Sequence, residues 1–123
     1  MAKKILIVED DLILLKAMSA ILQKEGYQVY TAPGGSEALT ALQQKHYDLV
    51  LLDLVLPRVS GFELLSRIKE AEGSKRTPVI IVSSLSYSYI EGKQTRNLLR
   101  DTAYLPKPFG VADLLQQVDE LIA

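Results

Sequence analysis

Asp48-Leu49-Val50-Leu51-Leu52-Asp53-Leu54-Val55-Leu56-Pro57 constrains this chain more than any other stretch. It is a nearly continuous apolar run with one carboxylate set into it. An apolar run of this length between polar residues predicts a strand covered on both faces, as in a parallel sheet. Asp53 stands where that strand should end, and Pro57 stops the chain from continuing in a sheet. A carboxylate is thus delivered to the rim of a buried sheet, where open α/β folds place their sites.

The rest of the chain supplies the partners such a strand needs. Ile5-Leu6-Ile7-Val8 predicts a first buried strand ending in Glu9-Asp10-Asp11. Leu14, Leu15, Met18, Ile21 and Leu22 recur at helical spacing, and Gly26 stops that helix. Tyr27–Thr31 alternates as a second strand, and Pro33-Gly34-Gly35 marks a turn. Ser36 is placed to cap a second helix carrying Ala38, Leu39, Ala41 and Leu42. After Pro57, Gly61 permits a tight turn into a third helix with Phe62, Leu64, Leu65 and Ile68. Val79-Ile80-Ile81-Val82 is a fourth buried strand ending in Ser83-Ser84. Leu85–Arg100 gives only a weak helical signal. Ala103-Tyr104-Leu105 is a short fifth strand ended by Pro106-Lys107-Pro108, and Val111, Leu114, Leu115, Val118, Leu121 and Ile122 define a closing helix. Strand then helix, five times over, implies parallel pairing in one domain over 1–123, a three-layer α/β/α sandwich around a five-stranded parallel sheet.

In a parallel sheet all strand C-termini share one edge. Asp10, Asp11, Asp53, Ser83, Ser84 and Lys107 therefore converge there. Each alone has an ordinary explanation: Asp10 and Asp11 as helix caps, Asp53 as a turn residue, Ser83 as a loop hydroxyl, Lys107 as a solvated lysine. Together they form a compatible set. Three carboxylates in one cleft repel each other unless a cation neutralises them, and Mg²⁺ is suited to such oxygen ligands. A metal beside a lysine and a hydroxyl makes a receptor for a phosphoryl group.

Composition narrows the alternatives. A net charge of −1 gives no electrostatic case for binding nucleic acid or a membrane surface. The absence of cysteine excludes disulfides and thiolate metal sites. No apolar run is long enough for a bilayer, and Met1-Ala2-Lys3-Lys4 lacks signal-peptide features, so a cytoplasmic protein is expected. No loop of the Gly-x-x-x-x-Gly-Lys-Ser/Thr type follows the first strand, which argues against nucleotide binding.

These residues resemble the receiver domain of two-component response regulators, the CheY-like family, over essentially the whole chain. The resemblance rests on Glu9-Asp10-Asp11 after the first strand, the Leu-Leu-Asp-Leu-x-Leu-Pro block around Asp53, Gly61 eight residues on, Ser83 thirty residues on, and Lys107-Pro108-Phe109. It implies a flavodoxin-like fold of strand order 2-1-3-4-5. It implies that Asp53 accepts a phosphoryl group from a phosphohistidine on a sensor histidine kinase or phosphotransfer protein. Asp10, Asp11, Asp53 and the backbone carbonyl of Val55 would hold Mg²⁺, and Lys107 would pair with a phosphoryl oxygen. Ser83 and Tyr104 would act as the switch pair, and the Lys107–Pro108 peptide would be cis. The output surface would lie around the fourth helix, fifth strand and fifth helix. It would face a downstream effector protein or domain, or a second copy in a phosphorylation-dependent homodimer.

The sequence departs from the family pattern at Leu56-Pro57-Arg58-Val59-Ser60-Gly61, where Met-Pro-x-Met-x-Gly is usual. It departs again at Arg100-Asp101, where Gly-Ala is usual. A phosphorylation-independent interaction module on the same fold is the alternative; loss of Asp53 or Lys107 would have favoured it. An Asp-nucleophile phosphohydrolase of the haloacid-dehalogenase type is disfavoured, because Val55 stands where the second Asp of Asp-x-Asp would be. Val55 and Leu85 are both apolar beside the expected path of water, which predicts slow self-hydrolysis of the phosphate.

Overall fold

The computed structural model describes residues 2–70, 77–85 and 102–122. Its strands are β1 (Lys4–Val8), β2 (Gln28–Ala32), β3 (Leu49–Leu52), β4 (Val79–Ser83) and β5 (Thr102–Pro106). Its helices are α1 (Leu12–Lys24), α2 (Gly35–Gln44), α3 (Gly61–Glu70) and, closing the chain, α4 (Val111–Ile122). The weak helix expected within Leu85–Arg100 falls almost wholly outside the described residues. The five strands form one sheet in the order β2-β1-β3-β4-β5, and every pairing is parallel. The expected architecture is therefore the observed one.

Burial follows the sequence pattern. The central strands β3 and β4 are buried along their whole length, while β2 and β5, at the sheet edges, are only partly covered. A strand covered on both faces needs apolar side chains at both parities, and this is why Leu49–Leu52 and Val79–Val82 are unbroken apolar runs. The sheet divides the interior into two cores. On one face Leu6, Val8, Val50, Leu52, Val79 and Ile81 pack with Ala38 of α2 and Leu64, Leu65 and Ile68 of α3. On the other, Ile5, Ile7, Leu49, Leu51, Ile80 and Val82 pack with Leu15, Met18 and Leu22 of α1 and Leu114, Val118 and Ile122 of α4.

The helix ends show where local chemistry decides boundaries. Asp11 caps α1, its Oδ1 accepting from Ile13 N at 3.1 Å and Leu14 N at 3.2 Å. The same helix ends at Gly26, whose φ of 96° is left-handed and suits glycine. The second helix begins two residues before the expected start. Gly34 is its N-cap, with no side-chain cap bond, and Ser36 lies inside the first turn instead of capping it. The reason is a tertiary contact: a Cβ on Gly35 would lie 2.3 Å from the Cβ of Val59, so glycine lets the loop after β3 press onto the start of α2.

Candidate functional site

The strand order reverses at β1 and β3, whose following helices lie on opposite faces of the sheet, and the site sits at their C-terminal ends. Val8 and Leu52 are paired in register, so Glu9 and Asp53, each the first residue beyond its strand, stand side by side. The parallel ladder runs on through the functional residues. Glu9 N donates to Ala32 O at 3.1 Å, Asp53 N to Val8 O at 3.0 Å, and Lys107 N to Ser83 O at 2.9 Å.

Side-chain parity then assembles the charges. Ile5 and Ile7, Leu49 and Leu51, and Ala103 and Leu105 all face the core beneath α1 and α4. Two residues further along each strand come Glu9, Asp53 and Lys107, on that same face. The Lys107 ammonium lies 2.8 Å from Asp53 Oδ2 and 2.6 Å from Glu9 Oε1. The contact to Asp53 is an aligned hydrogen bond. The contact to Glu9 is an ion pair outside hydrogen-bond geometry, which leaves Glu9 Oε1 a buried acceptor without an aligned donor. Glu9 Oε2 accepts from Asp11 N at 3.1 Å, and Asp53 Oδ1 accepts from Val55 N at 2.9 Å.

Both acids are deeply placed, Glu9 at 1% and Asp53 at 5% exposure. Burial pushes the Glu9 carboxyl above its ordinary pKa, and the nearby Asp53 charge adds to this, while the Lys107 ammonium and the hydrogen bond from Asp11 N oppose it. For Lys107, burial is the largest single influence and pulls downward. The paired carboxylates of Asp53 and Glu9 together outweigh it, so the ammonium is held above its usual value.

Among the described residues, Glu9, Asp10 and Asp53 each bring a carboxylate oxygen within 4.8 Å of the others. This differs by one residue from the expected triplet of Asp10, Asp11 and Asp53. The carboxylate of Asp11 is taken up by the N–H groups of α1, and Glu9 fills its place in the cluster. Sequence reasoning missed Glu9 as a member of the site. The signal that identifies it is its position directly after Val8, which the register pairs with Leu52. With all four groups ionised, three carboxylates and one ammonium leave two net negative charges. That balance and the hard oxygen donors fit a divalent cation such as Mg²⁺.

Gly61 brings the following helix against the site. Its N donates to Leu54 O at 3.3 Å, and a Cβ there would lie 2.3 Å from Leu54 Cα and 2.6 Å from Asp53 O. Glycine is required at this position by close approach of two backbones. Ser83 is fully buried and its Oγ accepts from Leu85 N at 3.1 Å. The Tyr104 hydroxyl donates to the Leu85 carbonyl, and the ring packs with the core beneath α2 and α3. The Lys107–Pro108 peptide is cis, as expected. Val55 is half-exposed in the turn after β3. No helix among the described residues is long and apolar enough to cross a membrane.

With this geometry in place, comparison with known proteins is informative. The family profile described as the response regulator receiver domain matches residues 5–119. A curated relative, the probable transcriptional regulator ycf29 of Pyropia yezoensis, is 34% identical over 125 residues, covering 100% of this chain and 54% of that protein. The chain likewise spans about half the length of several other curated relatives it matches. Among solved structures, chemotaxis response regulator CheY4 of Vibrio cholerae superposes with a TM-score of 0.88 at 27% identity, covering 99% of this chain and 100% of that one. Response regulator TrrA of Thermotoga maritima, solved in complex with Mg²⁺ and BeF, gives a TM-score of 0.82 at 30% identity, covering 98% and 99%. An acidic pocket at the sheet switch point, a lysine bridging two of its carboxylates, and a family match over nearly every described element lead to one assignment: the chain belongs to the response regulator receiver domain family, a family of signalling switches.

Proposed function

We propose that this chain, as a single receiver domain over 1–123, is a phosphoryl-accepting switch whose acceptor is Asp53. The observation that carries the reading is the buried Asp53 carboxylate, hydrogen-bonded to Lys107 at 2.8 Å within an acid cluster of net negative charge. In the reaction, a carboxylate oxygen of Asp53 forms a new bond to phosphorus. The P–N bond to the donor phosphohistidine breaks, and the imidazole leaves with the bonding pair and takes up a proton. Lys107 stays charged throughout, since its pairing with the acids holds its pKa up, and it is placed to meet a phosphoryl oxygen. Burial of Asp53 limits access of water to the site.

Glu9, Asp10 and Asp53, with the backbone carbonyl of Val55, would hold a Mg²⁺ ion. When bound, it would neutralise excess negative charge and polarise phosphoryl oxygens. The solved complex of TrrA with Mg²⁺ and BeF supports this reading. Ser83 and Tyr104 are the switch pair: their bonds meet at Leu85, so a change at Ser83 alters what the Tyr104 hydroxyl can reach. Such a switch is a two-state equilibrium biased by a local charge event. The donor is a sensor histidine kinase or phosphotransfer protein of the cytoplasm. The reader is an effector protein or domain, or a second copy of the chain in a phosphorylation-dependent homodimer.

The test is intact-mass analysis after incubation with a small acyl phosphate, with and without Mg²⁺, on the wild type and on Asp53→Asn. A metal-dependent gain of one phosphoryl group, absent in the variant, is expected. No gain in a protein shown to bind the metal would overturn the reading and favour a phosphorylation-independent interaction module.

A further inference from the structure

The loop after β3 leaves the sheet at Leu54 and returns at Gly61, where the two main chains are pinned by the bond from Gly61 N to Leu54 O. Between these points Val55, Pro57, Arg58 and Ser60 are exposed, and only Leu56 and Val59 are partly buried. Both pack on the core beneath α2 and α3. Arg58 has a φ of 69°, a left-handed conformation that a residue with a Cβ keeps only where its surroundings hold it. On either side of it, Val59 N donates to Pro57 O at 2.8 Å. The next residue along, Val59, is seated on Gly35 at the start of α2.

No side-chain rotation can relieve that seat. A Cβ on Gly35 would lie 2.3 Å from Val59 Cβ, 2.9 Å from Cγ1 and 3.1 Å from Cγ2. The nearest of these, Cβ, is bonded to the main chain, so only movement of the loop backbone would make room. Gly34 differs, because the nearest neighbour of a Cβ there would be Glu37 Oε1 at 2.9 Å, the end of a flexible side chain. The passage Ala32-Pro33-Gly34-Gly35 from β2 into α2 carries no charge, yet it meets the site from two directions. Ala32 O accepts from Glu9 N at 3.1 Å, and Gly35 receives Val59. One passage thus braces the main chain of an acid in the cluster and the loop that carries the Val55 carbonyl.

We propose that Gly35 is a positioning residue for the metal. By receiving Val59 it fixes the loop 55–60, and with it the direction in which the Val55 carbonyl is presented to a Mg²⁺ ion held by Glu9, Asp10 and Asp53. Gly35 acts only through Val59, having no side chain to reach the ion. The inference rests on the metal-assisted switch reading for the ion itself, while the brace rests on the contacts alone.

The test is Mg²⁺ affinity, read from amide NMR shifts during titration of the whole chain, at a temperature where melting in chelator shows each variant folded. Gly35→Ala should weaken Mg²⁺ binding by about tenfold or more, as loss of the contacts that support metal ligands does. Gly34→Ala adds the same methyl group one residue earlier and should bind as the wild type does. Val59→Gly removes the seated side chain and should also weaken binding, because the loop is no longer held. Combined with Gly35→Ala, it puts a methyl group back between loop and helix from the other side. That double variant should bind Mg²⁺ more tightly than either single one. A role in folding alone would move the melting temperatures and leave the affinities equal.

An unchanged affinity in Gly35→Ala, or an equal loss in Gly34→Ala, would overturn the proposal. If Gly35→Ala does not fold, the double variant decides, and an affinity no tighter than that of Val59→Gly would overturn it. Intact mass after incubation with a small acyl phosphate separates the two readings. A wild type that binds Mg²⁺ but takes up no phosphoryl group sinks the switch reading, and the affinities still decide the brace. A wild type that binds no Mg²⁺ overturns the metal site and the proposal with it.

Discussion

Replacing Lys107 by Met should expose how much of the fold's stability depends on one ammonium. The substitution keeps most of the length of the side chain, one atom short, and removes its charge. Two carboxylates at 1% and 5% exposure then face each other with their shared cation gone. Removing one partner of a buried pair costs about 3–5 kcal/mol, because the remaining charge is uncompensated. Lys107 keeps a side-chain exposure of 21%, so water screens part of the loss and about 2–3 kcal/mol is the better figure. For 123 residues, an unfolding entropy of about 2.1 cal/mol/K per residue converts this into a fall in Tm of roughly 8–12 °C. Thermal denaturation in chelator at neutral pH measures it directly. Asp53→Asn introduced on top should recover part of the loss, since one of the two stranded charges is then gone.

The pH dependence of that deficit has a definite sign. The folded-state pKa of Lys107 is raised, so its contribution is fully present below 10.5 and is lost as pH rises through the higher folded value. On the acid side the Glu9 carboxyl, its pKa raised by burial, takes up its proton above 4.5, and the repulsion left by the variant falls away. The gap between wild type and variant should therefore be widest near neutrality and close at both extremes. A variant that melts with the wild type at neutral pH, or a strictly additive double variant, would refute the reasoning.

Three further perturbations address the site from other sides. Asp11→Ala should lower stability by about 1 kcal/mol through loss of the α1 cap, while Asp11→Ser keeps the cap and leaves Mg²⁺ affinity near wild type; a loss of metal binding in the serine variant would show that Asp11 is a ligand after all. Gly61→Ala should destabilise by about 1–3 kcal/mol and slow phosphoryl uptake, because the added Cβ meets the backbone of Leu54 and Asp53; an unchanged urea midpoint would contradict the close approach. Exchanging Val55 and Leu85 together for asparagine should shorten the lifetime of phosphorylated Asp53, followed as the decay of the added mass, and an unchanged half-life would remove these side chains from the path of water.

Asp53 and Lys107 were legible in the sequence because each interrupts or follows an apolar strand where no packing argument wants a charge. The cis peptide at Lys107–Pro108 and the sheet order were legible through the family resemblance. The membership of Glu9 was not. Three acids in a row all fit a strand end, and only the pairing of Val8 with Leu52 decides which carboxylate stands beside Asp53. Counting in twos from Leu51 to Asp53, from Ile7 to Glu9 and from Leu105 to Lys107 gives the answer once the register is known. The start of α2 was misplaced at Ser36 for a different reason. A serine before an apolar face is a good cap locally, but the packing of Val59 on Gly35 moves the boundary, and no local rule contains that contact.

The ladder bond from Asp53 N to Val8 O, between the ends of the buried inner strands β3 and β1, ties the main chain of Asp53 to the best-covered part of the sheet. Amide protons donated into the centre of a buried sheet exchange with solvent only when the sheet itself opens, whereas those of loops exchange through small local openings. The main chain of Asp53 is thus expected to exchange on the clock of global unfolding. Side-chain rotation and the loops beyond the rim keep much shorter times. A phosphoryl group taken up at Asp53 would be held without loosening its support, because the support and the moving parts belong to different timescales.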